Sequence, residues 1–205
     1  MCHWRYRCKV PLLMCLLAAW WCACGQETAQ PSESSAEAAD RERSAGFAVD
    51  TVGVLDLAEA DTLNQDRGLT MVETTIAMPP EADGGEVWGW EFMARSLRPV
   101  KLIVVRFDQK REQFELVGES GSVVPRQVGV NFFRLREPIP VRSRDMFGIV
   151  QPEEGVIPFR KVFNWKAMIT AKPFERPMMR RDRFGVYGWR YAVRVFWKRP
   201  QEANP

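Results

Sequence analysis

Six large residues at every second position, Tyr187, Trp189, Tyr191, Val193, Val195 and Trp197, constrain the fold of this chain more than any other feature. Arg190, Arg194 and Lys198 lie on the opposite parity of the same stretch. Successive side chains of a strand point to opposite faces, so this period reads as a half-buried strand with a basic outer side. The same test selects Trp88, Trp90 and Phe92, separated by Gly89 and Glu91, and Val128, Val130 and Phe132, separated by Gly129 and Asn131. Residues 100–107, with KLIVV at their centre, read as a run buried on both faces. Shorter strands are expected at 51–57, 70–78, 114–117, 146–150 and 163–170, and one short helix at 58–67. Turn signals separate them: ADGGE at 82–86, GESGS at 118–122 and PEEG at 152–155. Many short strands with Gly and Pro punctuation predict an all-β domain, a single antiparallel β-sandwich over residues 47–205. A chain of about 150 residues buries roughly 70% of its unfolded surface and needs no covalent staple.

The N-terminal segment has a different character. All five cysteines fall within the first 24 residues, behind a positive start of Arg5, Arg7 and Lys9. The apolar run at 10–23, VPLLMCLLAAWWCA, is shorter than the about 20 residues a membrane span needs, and reads as a cleaved export signal. Ala23, Cys24 and Gly25 together resemble the lipobox of bacterial lipoproteins. That resemblance implies a diacylglycerol on the Cys24 thiol, cleavage before Cys24 and a further acyl chain on the freed amine. More than one chain gives stable membrane attachment. A non-acidic Gly25 implies the outer membrane, facing the periplasm or the surface. Secretion by cleavage after Gly25 and an uncleaved anchor are the alternatives. Residues 1–23 are thus the signal peptide, and 24–46 the lipidated cysteine with its tether. The tether, GQETAQPSESSAEAADRERSAG, has no aromatic residue and too little apolar surface to offset its ordering entropy. It is expected to be a disordered spacer, although its SAEAADRERSAG part also has the composition of a helix.

Removal of the signal takes away His3, the single histidine, and every thiol except that of Cys24. The remaining chain has no Cys–His or Ser–His pair, no His or Cys metal set and no disulfide. Neither an enzyme nor a cofactor is expected. Asp145, Glu153 and Glu154 flank one turn, but without the spacing of a calcium loop.

From residue 88 to 159 the order of segments is distinctive: VWGWEFMARS, VKLIVVRF, FELVGESGSV and PIPVRSRDMFGIVQPEEGVIPF. Pro138, Ile139, Val141, Asp145, Gly148, Ile157, Pro158 and Phe159 carry the pattern of the last one, with Arg144 where glycine is usual. The stretch resembles jelly-roll β-sandwich modules of the lectin or carbohydrate-binding type on exported proteins. The resemblance implies a fold and, as an expectation, a glycan ligand.

Charge is uneven along the domain. Residues 47–155 hold 12 Lys/Arg and 18 Asp/Glu, whereas 156–205 hold 12 Lys/Arg and 3 Asp/Glu. Arg160, Lys161, Arg180, Arg181 and Arg183 of the basic part stand near Phe163, Trp165, Phe184, Tyr187 and Trp189. Basic groups beside aromatic rings suit an anionic polymer. The export signal disfavours nucleic acid, which leaves acidic polysaccharide, envelope phosphates or anionic headgroups. Arg190 and Arg194 alternate with core aromatics, which equally suits a solvated face with long stems packed on the sheet. Alternation places Trp88, Trp90 and Trp189 in the core, and Trp165 on a buried face with Phe163, Ala167 and Ile169. Trp197, near the end of the chain, is expected to be exposed. Residues 173–181, PFERPMMRR, read as a loop whose methionines cap the core. The candidate ligand residues are Arg160, Lys161, Trp165, Arg180, Arg181, Arg183 and Trp197. The expected partners are the membrane, a glycan or anionic envelope polymer and, in the alternative of a structural or assembly lipoprotein, another envelope protein.

Overall fold

The computed structural model of the chain describes residues 34–44, 47–55, 62–65 and 67–200. The signal segment, Cys24 and the tether up to Glu33 lie outside the described residues. Strands follow in the order β1 (Phe47–Val54), β2 (Leu69–Glu73), β3 (Gly85–Ala94), β4 (Lys101–Asp108), β5 (Gln113–Glu119), β6 (Gly129–Val141) and β7 (Met146–Gln151). After them come β8 (Phe159–Lys161), β9 (Ala167–Thr170), β10 (Met178–Arg180), β11 (Gly185–Tyr187), β12 (Trp189–Tyr191) and β13 (Val193–Pro200).

One sheet has the order β1-β13-β3-β6, and a second contains β5-β4-β7-β2 as neighbours. With β1 to β7 and β13 taken as strands one to eight, the sheets run 1-8-3-6 and 2-7-4-5. Every pairing is antiparallel. This is the two-sheet order of a jelly roll.

Among the described residues, further strands interrupt the frame between its seventh and eighth strands. The inserted segment sends β9 and β11 to the β2 edge of the second sheet and β10 to the β5 edge, and pairs β8 with β12 as a separate ribbon. The enlarged sheet has seven strands, so a flat one would hold its edges about 29 Å apart at the usual strand spacing. Only Arg181–Phe184 connect β10 to β11, and five residue steps span at most about 18 Å. The sheet is therefore curled, with its edge strands drawn toward each other.

Burial follows this geometry. Leu69, Met71, Leu102, Val104, Phe147, Ile149, Ala167 and Ile169 face Trp90, Phe92, Val193, Val195 and Trp197 of the smaller sheet in the main core. The alternate residues Val72, Ile103, Val105, Met146, Val150 and Met168 line a second core inside the curl with Phe114, Met179 and Phe184. The 100–107 run is thus buried on both sides over its centre, as its composition predicts. Met179 caps this second core, whereas its neighbour Met178 is exposed.

Period two fails where the backbone does. Val87 opposes Trp197 and Gly89 opposes Phe196, which leaves Trp88 as an extra residue in a bulge. The bulge turns Trp88 away from Trp90 and onto the outer face, beside Phe132, Phe196 and Ala38. In β6 the inward residues are Phe133 and Leu135, so Val130 and Phe132 take the opposite face from the one their alternation suggests.

The 187–197 run is also divided. Gly188 and Ala192 break it into β11, β12 and β13, which belong to three different sheets. Trp197 corrects the expectation of exposure. It is 4% exposed, because its parity with Val193 and Val195 holds it in the main core opposite Val87.

Helix α1 (Ser35–Ser44) occupies the second half of the expected spacer. Ser34 and Glu37 form a capping box: the Ser34 hydroxyl accepts from the Glu37 N–H at 3.2 Å, and the Glu37 carboxylate accepts from the Ser34 N–H at 3.0 Å. Ala38 and Ala39 are buried, and Ala38 roofs the Trp88 cluster. No helix is formed in the described part of 58–67; Thr62 instead bridges Phe159.

Candidate functional site: an aromatic and basic surface on the insertion

The β8–β12 ribbon presents two unlike faces. Its register sets Lys161 opposite Trp189, Arg160 opposite Arg190 and Phe159 opposite Tyr191. Phe159 is buried and stacks on Trp189 at 4.3 Å and 19°. Tyr187 continues the series, 4.5 Å from Trp189, and is 41% exposed. A ladder of rings therefore runs from the core to the surface.

Beyond β8 the chain turns at Phe163 and Asn164. Asn164 has φ 62°, a left-handed conformation that Asn tolerates better than most residues. The turn is held by the Val162 N–H donating to the Gly188 carbonyl at 2.8 Å and the Trp165 N–H donating to the Val162 carbonyl at 3.3 Å. Phe163 stands at its tip and is 92% exposed. This corrects the expectation of one strand over 163–170, since the strand begins only at Ala167. Lys161, Val162, Phe163, Gly188 and Trp189 line an open cleft of about 330 Å³.

The other face of the ribbon carries the arginines. The Arg190 guanidinium lies 5.2 Å from the centre of the Trp165 ring, within cation–π range. Trp165 is half-buried, and its Nε1–H donates to Oε2 of Glu73 at 2.7 Å. Glu73 is buried and its other oxygen accepts from the Thr75 N–H at 2.8 Å. Burial raises the carboxyl above the ordinary glutamate range, and the hydrogen bonds from Thr75 and Trp165 only partly oppose that. The Lys166 backbone is tied to the same segment: its N–H donates to the Thr75 hydroxyl at 2.6 Å, and its carbonyl accepts from the Thr74 N–H at 3.2 Å.

Of the residues selected from sequence, Arg160, Lys161 and Trp165 come together on and beside this ribbon. Arg180, Arg181 and Arg183 lie on β10 and the short turn after it. Arg180 pairs with Asp182 at 3.0 Å, and Arg181 approaches Glu112 at 3.9 Å, which clips the turn to the start of β5. Trp197 is in the core. Sequence reasoning missed Phe163, Tyr187 and Trp189 as surface rings and gave Arg190 to a solvated face. Asn164, a residue suited to left-handed turns, was the signal that could have placed Phe163 at a tip.

A second cleft of about 380 Å³ is bounded by Arg106, Phe107, Gln109, Ser143, Arg144 and Met146. Asp145 beneath it is fully buried and accepts two bonds from Arg106, each 2.8 Å, and one from the Arg142 N–H, also 2.8 Å. Glu154 is held by Arg98 at 2.7 Å, and that hydrogen bond lowers its pKa. Among the described residues no cluster of three acidic, Cys or His side chains could hold a metal ion.

No protein-family model matches the chain, and no curated protein matches it. Among solved structures, the chain is similar to one containing the cysteine protease and lectin-like domains of Cwp84, a surface layer associated protein of Clostridium difficile. The TM-score is 0.39 at 6% identity, over 66% of this chain and 32% of that one, so the match spans about a third of the neighbour's length.

Proposed function

We propose that the protein is a non-catalytic binding module of the cell envelope, held to the outer membrane through acylated Cys24. Its ligand is a glycan or an anionic envelope polymer, and the insertion between β7 and β13 is the binding surface. The observation that carries this reading is exposed Phe163 beside Lys161 and Trp189 around one open cleft, with exposed Tyr187 4.5 Å from the Trp189 ring. A sugar ring has an apolar face that stacks on such rings, and the cations beside them attract acidic groups.

The test is titration of the purified protein, in detergent, with neutral and acidic polysaccharides at low and high salt. Phe163→Ala is expected to weaken binding by about tenfold or more, equal to ~1.4 kcal/mol, without lowering thermal stability. Unchanged affinity in that variant defeats the reading. Loss of membrane association in Cys24→Ala, measured by fractionation without detergent, checks the anchor.

A protein partner is the second reading. It is favoured by Val124, Val128 and Val130, all exposed, and by β6, an edge strand of the smaller sheet. Crosslinking of the wild type and a Val128→Lys variant in envelope preparations separates it from the first.

A further inference from the structure

We propose that the cleft beside the β6–β7 turn is a second binding site, for a small amphipathic carboxylate. The apolar body of the ligand lies on Phe107 and Met146, and its acid group pairs with Arg144. The site shares no residue with the insertion surface and does not depend on the glycan reading.

The backbone of Arg144 is the first observation. Its φ of 69° is a left-handed conformation that a long side chain adopts at a cost and glycine adopts freely. The turn is nonetheless fixed from several sides. The Arg144 N–H donates to the Met78 carbonyl at 2.9 Å, and the Met78 N–H donates to the Asp145 carbonyl at 2.7 Å. The Arg142 N–H donates to Asp145 at 2.8 Å, and the Ser143 N–H donates to Asp83 at 2.6 Å. None of these bonds uses the Arg144 side chain, so glycine would make the same turn with less strain. Strain that the surroundings hold in place in this way concentrates at functional sites.

Charge is the second observation. Arg144 is exposed at the rim of the cleft. Among the described residues no carboxylate lies within ion-pair distance of its guanidinium. The neighbouring acids are engaged elsewhere. Asp145 accepts two bonds from Arg106, Asp83 accepts from the Ser143 N–H, and Asp108 accepts from the Lys110 and Arg111 N–H groups. One unpaired cation among engaged acids suits a monoanion, because the same acids repel a second negative charge. A carboxylate also matches the planar fork of a guanidinium.

The floor is the third observation. Met146 belongs to the core inside the curl, and Phe107 packs against that core with its ring 5.1 Å from the ring of Phe114. The cleft, about 380 Å³, therefore opens onto one end of an apolar core. Phe107 is held in place by Phe114, and the thioether of Met146 adapts to irregular shapes. Ser143 and Gln109 stand at the same rim, and their side chains carry donors for the second carboxylate oxygen. An apolar floor with a few polar groups at one end selects a hydrocarbon body with one acid group, not a sugar.

The test is titration of the purified protein with octanoate and phenylacetate, with octanamide and phenylacetamide as uncharged controls in the same detergent. Wild type should bind each acid tenfold or more tightly than its amide. Arg144→Gly should lose that preference and keep its affinity for the amides. Arg144→Asn removes the same charge with a residue that tolerates the left-handed turn, so it should behave alike. Loss of the preference in both variants, with cooperative thermal unfolding retained, is the expected result.

Absence of acid binding, equal binding of acid and amide by wild type, or a preference that survives both substitutions overturns the site. Phe163→Ala should leave octanoate binding unchanged; a loss there places the acid on the insertion and also overturns the site. If no polysaccharide binds but acid binding depends on Arg144, the site stands and the glycan reading fails.

Discussion

Replacing Trp165 with Phe separates its hydrogen bond to Glu73 from the ring that lies under Arg190. The substitution keeps an aromatic surface for Arg190 but removes the Nε1–H that reaches Glu73 at 2.7 Å. Glu73 is 3% exposed, so water does not readily replace that donor. A hydrogen bond to a charged group contributes about 1.5–3 kcal/mol. Trp165 is only half-buried, which places the expected loss at neutral pH near the lower end, about 1.5–2 kcal/mol. For a chain of this size that corresponds to a fall of roughly 3–8 °C in Tm.

The pH dependence gives the sharper readout. Burial raises the Glu73 pKa in the folded protein, so the native state holds this proton more firmly than the unfolded chain does. The wild type therefore loses Glu73-linked stability as pH rises from the unfolded glutamate range through the raised folded value. Removing the Trp165 donor takes away one of the interactions that lowers the pKa, so the variant loses more over the same rise. The cost of Trp165→Phe should be largest near neutrality and shrink to about 0.5–1 kcal/mol in acid, where the bond is to a neutral carboxyl. Urea unfolding of both proteins across the acid-to-neutral range measures it. In a Glu73→Gln background the cost should become small and independent of pH. An equal cost at both ends of the range, or one unchanged by Glu73→Gln, refutes the reasoning.

Two further perturbations test the frame. Arg106→Ala leaves the buried Asp145 carboxylate with only the Arg142 N–H among its strong donors. Breaking a fully buried pair costs about 3–5 kcal/mol, and partial exposure of Arg106 reduces this to about 2–3 kcal/mol, read by denaturant unfolding. Arg106→Ala with Asp145→Asn should then cost less than the two single changes added together. Arg144 has φ 69°, so Arg144→Gly relieves about 1 kcal/mol of left-handed strain, less the added unfolded-state entropy, and should leave stability equal or higher. A fall in Tm for that variant shows that the Arg144 side chain contributes more than its backbone costs.

Strand identity was legible wherever a residue's environment repeats every second position. The double burial of 100–107 and the segments around 88–94 and 146–151 needed only the alternation and its flanking turns. Arg144 adopts the conformation for which glycine is preferred, so the turn keeps its geometry with a less suitable residue. What alternation could not show was where the register slips. The extra residue at Trp88 sends one tryptophan outward, and the breaks at Gly188 and Ala192 distribute one apparent strand among three sheets. Both are decided by partners far away in sequence. Helix α1 could be read locally, because Ser34 and Glu37 have capping-box spacing, but low apolar content outweighed that cue. In the site, Arg160, Lys161 and Trp165 were visible as charge beside aromatics. Arg190 was not, because only the β8–β12 register brings it opposite Arg160.

The arrangement also bears on the proposal that recognition belongs on the insertion. The second sheet of the jelly roll is covered on one side by the smaller sheet and fills its own curl on the other. The aromatic patch on the outer face of the smaller sheet is roofed by α1 at Ala38. These rings stabilise the fold through burial and have little surface left for a ligand. The ribbon and the Phe163 turn are under the opposite constraint. Phe159 and Tyr191 anchor the ribbon in the main core, while Phe163, Tyr187, Lys161 and the paired arginines contribute little to that core. If the proposed surface is the binding surface, exchanging them should change recognition at small cost in stability, so affinity and Tm should vary independently across it. Substitutions at Phe159 or Tyr191 should lower both together, because the platform and the core share those two residues.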